Sequence, residues 1–129
     1  MISRIFLVHT TFFCEVINYI IFHFSNIVPA STPEDVTIQL YNSTSALIMW
    51  GPPNKRELHG DLQGYKVIIR SQNTSHYWNN FTLDSDITSL LLENLTAEEV
   101  YWVKVAAYNR KGIGPFSKVV ELKVRLFKL

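Results

Sequence analysis

The sequence predicts an all-β protein, with a seven-stranded antiparallel sandwich over residues 31–125 and a hydrophobic segment over residues 1–30. Three observations predict this fold. Short runs of alternating apolar and polar residues recur along the chain, turn-forming residues separate them, and no helical period interrupts them. About 95 residues is the usual size of one such domain. Two sheets packed face to face would bury the apolar side of every run.

The clearest predicted strand opens at Tyr101 and ends near Asn109. Its inward positions alternate strictly with outward ones, as is typical of a half-buried β-strand. These inward residues are Tyr101, Val103, Val105 and Ala107. The following Gly112-Ile-Gly-Pro115 predicts a turn, because glycine tolerates positive φ and proline fixes the exit of the chain. Counted along the chain, this is the sixth of the seven predicted strands.

The other strands are predicted from the same alternation. The second ends at Pro52-Pro53, because proline cannot donate to a ladder. The fourth should cover residues 76–83 and the fifth residues 87–92. The inward residues of the first, second, third, fifth and seventh strands are, in order, Val36, Ile38 and Leu40; Ala46, Ile48 and Trp50; Tyr65, Val67 and Ile69; Leu90 and Leu92; and Val120, Leu122 and Val124.

These landmarks resemble a fibronectin type III domain over residues 31–125. The motifs that carry the resemblance are Trp50 before two prolines, Leu62-x-Gly-Tyr65, Leu95 six residues before Tyr101, and Gly112-x-Gly-Pro115. Such motifs are common in sidekick-like and contactin-like adhesion molecules and in receptor tyrosine phosphatases, and they do not choose among these proteins.

The resemblance implies an immunoglobulin-like sandwich with Trp50, Tyr65, Leu95 and Tyr101 in its core. It also implies a tyrosine corner, in which the Tyr101 hydroxyl bonds to the backbone near Leu95 or Ala97. The only cysteine, Cys14, lies outside the predicted domain. The two sheets must therefore hold together by packing, without the disulfide of an immunoglobulin domain.

Composition and motifs favour no catalytic, cofactor or metal site. The histidines His9, His23, His59 and His76 have no partners at metal-ligand spacing, and one cysteine cannot form a zinc or redox motif. The glycine-containing turn opens a strand instead of a helix, so it lacks the geometry of a phosphate cradle. Formal charge is +1, which predicts no attraction to nucleic acid.

The acidic residues around the fifth strand are predicted to have no catalytic role. Asp84 and Asp86 flank a predicted turn, in which aspartate is common. Glu98 and Glu99 approach Tyr101 and are expected to face solvent.

Four Asn-x-Ser/Thr sequons occur, where composition alone would give roughly one. Each falls in a predicted turn or at a strand edge, the kind of surface position that a bulky polar glycan requires. Their asparagines are Asn42, Asn73, Asn80 and Asn94. The sequons predict that the domain passes through the secretory pathway and is extracellular or at the cell surface.

The four sequons differ in their expected accessibility. Asn94 is the first choice, because its neighbour Leu95 is expected to point inward and alternation turns Asn94 outward. Asn80 is the weakest, because Trp78 and Phe81 are expected to fold over it.

Residues 1–30 contain five of the eight phenylalanines and only two charged residues, Arg4 and Glu15. Three interpretations stay open. Arg4 before an apolar run, with small residues at Val28-Pro-Ala30, is typical of a signal peptide. Residues 5–27 are about long enough for a membrane anchor, although polar residues such as Glu15 interrupt them at a cost. The third interpretation is that the segment is the edge of a fragment. Membrane association is expected only through this segment.

Two surfaces are candidates for binding a partner. The first is a group of loop cations that would suit heparin or an acidic partner. Lys55 and Arg56 lie in the loop after the second strand, and Arg110 and Lys111 in the turn after the sixth; this topology brings both to one end of the sandwich. Solvated loop charge is the simpler interpretation.

The second candidate is the outward face of the sixth strand, with Trp102, Lys104 and Tyr108. Tyr77 and Trp78 are expected to extend this face. Stacking within the sheet is favoured there over partner binding.

The sequence therefore predicts a non-catalytic extracellular interaction or spacer module of a cell-adhesion or receptor protein. Its partners should be cell-surface or matrix proteins or neighbouring domains. The alternative is an accessory spacer domain of a secreted or surface enzyme whose catalytic part is absent from this chain. An intracellular muscle-type array is disfavoured by the sequons.

Overall fold

The computed structural model describes residues 27–73 and 78–125, with the backbone alone at residue 78. The expectations for His9, Cys14, Glu15, His23, His76 and Tyr77, and for the side chain of Trp78, lie outside the described residues.

The described residues form an antiparallel sandwich of eight strands and one short 3-10 helix. The strands are β1 (Glu34–Leu40), β2 (Ala46–Gly51), β3 (Gly64–Ser71), β4 (Trp78–Asp84), β5 (Ser89–Leu92), β6 (Val100–Asn109), β7 (Gly112–Ile113) and β8 (Val120–Lys123). The predicted fold class is confirmed, with one strand more than the seven expected. The additional strand is the two-residue β7, which pairs with the end of β6 across a turn at Arg110 and Lys111. The prediction that Gly112 and Ile113 lie in the turn itself was wrong, because their pairing with β6 makes them the start of the returning strand.

The strands divide into two sheets. The smaller has the order β1-β2-β5, and the larger has the order β4-β3-β6-β7, with β8 also paired to β6. Ile48 lies opposite both Ile38 and Leu90 in the smaller sheet. Val67 lies opposite both Phe81 and Val105 in the larger. The predicted inward residues therefore share the facing sides of the two sheets.

The core lies between these sheets and contains the residues expected there. Trp50, Leu95 and Tyr101 are buried, and Tyr65 is fully buried. The Trp50 and Tyr65 rings meet edge to face, with centroids 5.4 Å apart, a geometry that adds to the energy of burial. Burial also raises the pKa of the Tyr65 hydroxyl.

Two connections differ from the sequence prediction. The fifth strand begins at Ser89 instead of Ile87, because residues 84–87 form a turn closed by the Ile87 N–H and the Asp84 carbonyl. The loop after β2 contains a 3-10 helix, Lys55–Glu57, where an irregular loop was expected. Asn54 caps this helix by accepting a bond from the Arg56 N–H at 3.0 Å, which is the usual role of asparagine at that position.

Candidate protein-interaction surfaces and glycosylation sites

The tyrosine corner forms at the start of β6. The Tyr101 hydroxyl accepts a hydrogen bond from the Thr96 N–H at 2.9 Å and donates one to Glu99 Oε2 at 3.0 Å. Thr96 lies between the two positions that the sequence indicated, Leu95 and Ala97, so the predicted corner is confirmed. The corner fixes the turn between β5 and β6.

Glu99 is part of this corner, and the expectation that it faces solvent was wrong. Its side chain is half-buried. A hydrogen bond from Ser71 is the largest cause that lowers the pKa of Glu99, and bonds from Tyr101, Asn73 and Thr96 act in the same direction against partial desolvation. The bond from Ser71 could not be predicted locally, because Ser71 ends β3 and is far from Glu99 in sequence.

The opposite end of β6 is organised by Asn109. This side chain is 5% exposed, and its Nδ2 donates to the carbonyl oxygens of Ile27 at 2.7 Å and Leu58 at 3.0 Å. Its Oδ1 accepts from the Lys111 N–H at 2.9 Å. One carboxamide therefore joins the segment before β1, the loop after β2 and the turn after β6.

Sequence reasoning missed this role of Asn109, although a signal was present. Asn109 continues the inward alternation that begins at Tyr101, so it is a polar residue in an inward register. A buried carboxamide needs hydrogen-bond partners. The register alone therefore pointed to a structural asparagine, while the identity of its partners did not follow from sequence.

Residues 27–30 pack on this end of the sandwich. The Ala30 N–H donates to the Glu57 carbonyl at 2.8 Å, and the His59 ring nitrogen Nδ1 lies 3.2 Å from the Val28 carbonyl oxygen. Pro29 is buried against Gly114, where a Cβ atom would lie 2.6 Å from the Pro29 carbonyl oxygen. The close approach of Pro29 requires glycine at position 114.

The four cations of the predicted loop site are on this same end. Lys55, Arg56, Arg110 and Lys111 are all exposed. The bonds of Asn109 bring the loop after β2 and the turn after β6 together, as expected. The apolar side chains of Ile27, Val28 and Ile113 are 36%, 38% and 44% exposed.

The outward face of β6 contacts other residues of the larger sheet and the loop between β7 and β8. The Arg70 guanidinium lies 5.4 Å from the centre of the Trp102 ring, and the Trp102 Nε1–H donates to Glu121 at 3.4 Å. Lys104 Nζ lies 4.7 Å from the centre of the Phe116 ring. These cation–π and polar contacts hold the aromatic side chains against the sheet.

Tyr108 is held on the same face by a different contact. Its ring covers Gly64, where a Cβ atom would lie 2.9 Å from Tyr108 Cε1. Its hydroxyl lies 3.5 Å from the Leu83 carbonyl oxygen. The contacts of Trp102 and Tyr108 agree with the structural interpretation that the sequence favoured.

All four sequon asparagines are exposed: Asn42, Asn73, Asn80 and Asn94. Asn42 lies in the turn between β1 and β2, where its Oδ1 accepts from the Thr44 N–H at 2.9 Å. Asn80 pairs with Ile68 and so projects from the outer face of the larger sheet. Asn94 has a φ of 59° in the turn after β5.

The exposures of Asn94 and Leu95 are as predicted, although both residues lie in the turn after β5, so the turn and not strand alternation orients them. Leu95 is 8% exposed and Asn94 is exposed. Asn80 is also exposed. The expectation that Phe81 folds over it was wrong, because Phe81 packs against the core.

Within residues 27–73 and 78–125, no group of three or more His, Cys, Asp or Glu side chains is arranged to hold a metal ion. The same part of the chain contains no helix with the length and hydropathy needed to cross a bilayer.

The two-sheet topology and the tyrosine corner define the chain as a β-sandwich module of the immunoglobulin-like class. The family model of the fibronectin type III domain matches residues 31–123. The chain belongs to the fibronectin type III family.

Three curated proteins show where similar domains occur. The chain is 32% identical to protein sidekick-2 of Gallus gallus over 99 residues, 76% of this chain and 4% of that protein. It is 38% identical to protogenin of Homo sapiens over 98 residues, 74% of this chain and 8% of that protein. It is 30% identical to the cell adhesion molecule Dscam1 of Drosophila melanogaster over 95 residues, 70% of this chain and 5% of that protein. The chain thus spans a small part of each relative.

A solved structure shows the same fold. The third fibronectin III domain of the human KIAA0343 protein superposes with a TM-score of 0.71 at 24% identity, over 80% of this chain and 88% of that chain.

Proposed function

We propose that this chain is a non-catalytic extracellular interaction or spacer module of a cell-adhesion or receptor protein. The observation that carries the proposal is the exposure of all four sequon asparagines, Asn42, Asn73, Asn80 and Asn94, on a fibronectin type III sandwich. N-glycosylation requires reachable acceptor amides on a secreted chain. The similarity to Dscam1, which is named a cell adhesion molecule, supports the same function.

The test of the extracellular assignment is glycan attachment. The full chain, secreted from eukaryotic cells behind a heterologous signal, should lose mass on treatment with an N-glycosidase. Replacing each asparagine by glutamine in turn should remove the shift belonging to that site, with Asn94 as the first expected acceptor. A secreted chain with no shift at any of the four sites would contradict the assignment and favour an intracellular array.

The surface that supports partner binding best is the loop end around Asn109. Its exposed apolar side chains Ile27, Val28 and Ile113 occur together with the exposed cations Arg110 and Lys111. Apolar centres with polar rims are typical of protein–protein interfaces. The outward aromatic side chains of β6, in contrast, are already engaged within the sheet. We therefore place the contact with a protein partner or a neighbouring domain at the loop end.

Charge reversal tests this placement. The double variant Arg110→Glu/Lys111→Glu should weaken binding of the secreted chain to cell surfaces, measured by flow cytometry. Lys118→Glu/Lys123→Glu is the matched control, because both of these lysines are exposed and the change in net charge is the same. Equal losses for the two double variants would show a non-specific charge effect, and no loss for the first would exclude its two cations from the contact.

The alternative function is a spacer domain of a secreted or surface enzyme. The full-length transcript distinguishes the two, because flanking repeats of similar period indicate an array and a catalytic motif indicates the enzyme.

A further inference from the structure

A groove of about 460 Å³ opens along one side of the sandwich, between the two sheets. The strands beside it, β4 and β5, are each the edge of their sheet within the described residues. The buried residues Ile69, Leu92 and Tyr101 contribute to its lining. Its volume falls within the range of about 300–1,000 Å³ that is typical of small-molecule sites.

The lining of the groove combines apolar and polar side chains. Phe81 and Leu91 supply an aromatic ring and an aliphatic side chain, while Asn79 and Glu93 supply an amide and a carboxylate. This mixture matches the chemistry of a sugar ring. A pyranose has a C–H face that packs on apolar and aromatic surface, and a rim of hydroxyls that donate to carboxylates and pair with amides.

Asn94 is itself one of the lining residues. It is exposed and begins the sequon Asn94-Leu95-Thr96. Its φ of 59° places it in a turn, and the buried Leu95 anchors the next position. A glycan on this side chain therefore starts at the groove and needs no long tether to enter it.

We infer that the glycan attached to Asn94 occupies this groove and covers the adjoining edges of β4 and β5. The inference rests on the proposed extracellular function, because it requires glycosylation. Exposed strand edges are templates for unwanted strand pairing, and proteins protect them by covering them. The sugar at Asn94 thus acts as a structural cover on the open side of the sandwich.

Two variants of the secreted full chain test the inference. One keeps only the Asn94 sequon and the other keeps only the Asn42 sequon, the remaining asparagines being changed to glutamine. Asn42 is a suitable control, because it is exposed in the turn between β1 and β2 and is not among the groove residues. The rate of glycan release by an N-glycosidase is measured on native and on denatured chain.

The native Asn94 glycan should be released about two- to tenfold more slowly than the Asn42 glycan, a ratio that one aromatic packing contact would give. After denaturation the rates should be equal. Leu91→Ser should speed native release from Asn94, since Leu91 is 47% exposed and its replacement spares the core. Asn79→Ala removes a polar group of the lining and should speed native release from Asn94 in the same way.

Hydrogen exchange gives an independent readout. Backbone amides of β4 and β5 should exchange more slowly with the Asn94 glycan attached than after its removal. Equal native release rates and unchanged exchange would overturn the inference. Glycan at other sequons but none at Asn94 would overturn it too while leaving the extracellular proposal intact, whereas glycan at no sequon would overturn both.

Discussion

The two ends of β6 are fastened in different ways. At its start, the Tyr101 hydroxyl bonds to the Thr96 N–H, five residues away in the chain. At its end, the Asn109 carboxamide bonds to the carbonyls of Ile27 and Leu58, which are 82 and 51 residues away. The first closure is local and secures one turn. The second is long-range and joins three segments.

This difference gives the two ends of one strand different roles in the molecule. The local closure at Tyr101 shapes a turn beside the core and has no candidate partner-binding residue in it. The long-range closure at Asn109 positions Lys111 and the loop after β2, which belong to the proposed interaction surface. We therefore expect damage at the first end to lower global stability, and damage at the second also to loosen the loop end.

Both closures depend on the core that lies between them. Removing the Trp50 side chain from this core should therefore have the largest effect on the free energy of unfolding. Trp50→Ala should lower the free energy of unfolding by about 3–5 kcal/mol, from lost transfer energy and a cavity. Urea denaturation of both chains measures this loss. Met49→Ala is the matched control, because Met49 is 37% exposed on the same strand and should change stability by about 0.5 kcal/mol or less. A loss below about 1 kcal/mol for Trp50→Ala would show that this ring is not core.

Removal of the Asn109 carboxamide should have the next largest effect. Asn109→Ala leaves backbone groups of the loop end without their partner, and each buried group left unpaired costs about 1–3 kcal/mol, so we expect a total of about 2–4 kcal/mol. The Ala30 amide, bonded to Glu57, should exchange with solvent much faster. Unchanged protection of the Ala30 amide from exchange in this variant would show that residues 27–30 are held by their other contacts.

Removal of the Tyr101 hydroxyl should have a smaller and differently placed effect. Tyr101→Phe leaves the Thr96 N–H without its acceptor and should cost about 1–3 kcal/mol. Faster exchange is expected at the Leu95 and Val124 amides, which bond to Thr44 and Glu99, and not at Ala30. If both variants loosened the same amides, the two ends of β6 would not be independent.

The sequence predicted the sandwich because its evidence is local. Alternation along each strand identified the inward residues, and the six-residue spacing from Leu95 identified the tyrosine corner. The hydrogen bond from Ser71 to Glu99 did not follow from sequence, because only the fold brings these two residues close. The contacts of Asn109 with Ile27 and Leu58 likewise arise only from tertiary packing.

Some features of the candidate sites were likewise predicted from sequence, and others were not. The exposure of the four sequons followed from turn positions and alternation, and the placement of the loop cations on one end followed from topology. The groove beside Asn94 did not follow, because its lining comes from β3, β4, β5, β6 and the turn between β5 and β6. The exposed apolar residues Ile27 and Val28 at the loop end did not follow either, since their docking depends on Asn109 and His59.

The smallest expected effect on stability comes from the charge of Glu99, which takes part in the local closure at Tyr101. Hydrogen bonds from Ser71 and from Tyr101 hold the pKa of Glu99 below its ordinary value of 4.5. A carboxyl whose folded-state pKa is depressed stabilises the fold above its unfolded pKa, and that contribution is lost as the pH falls through the folded pKa. The stability difference between the natural chain and Glu99→Gln should therefore be constant near neutrality and shrink as the pH falls below 4.5 and through the folded-state pKa. Urea midpoints measured across this range test the prediction, with Glu34→Gln, at an exposed carboxylate on β1, as the control. A difference that does not change with pH would show that Glu99 acts at the corner through its shape and hydrogen bonding and not through its charge, and the corner would then be a neutral closure like the one at Asn109.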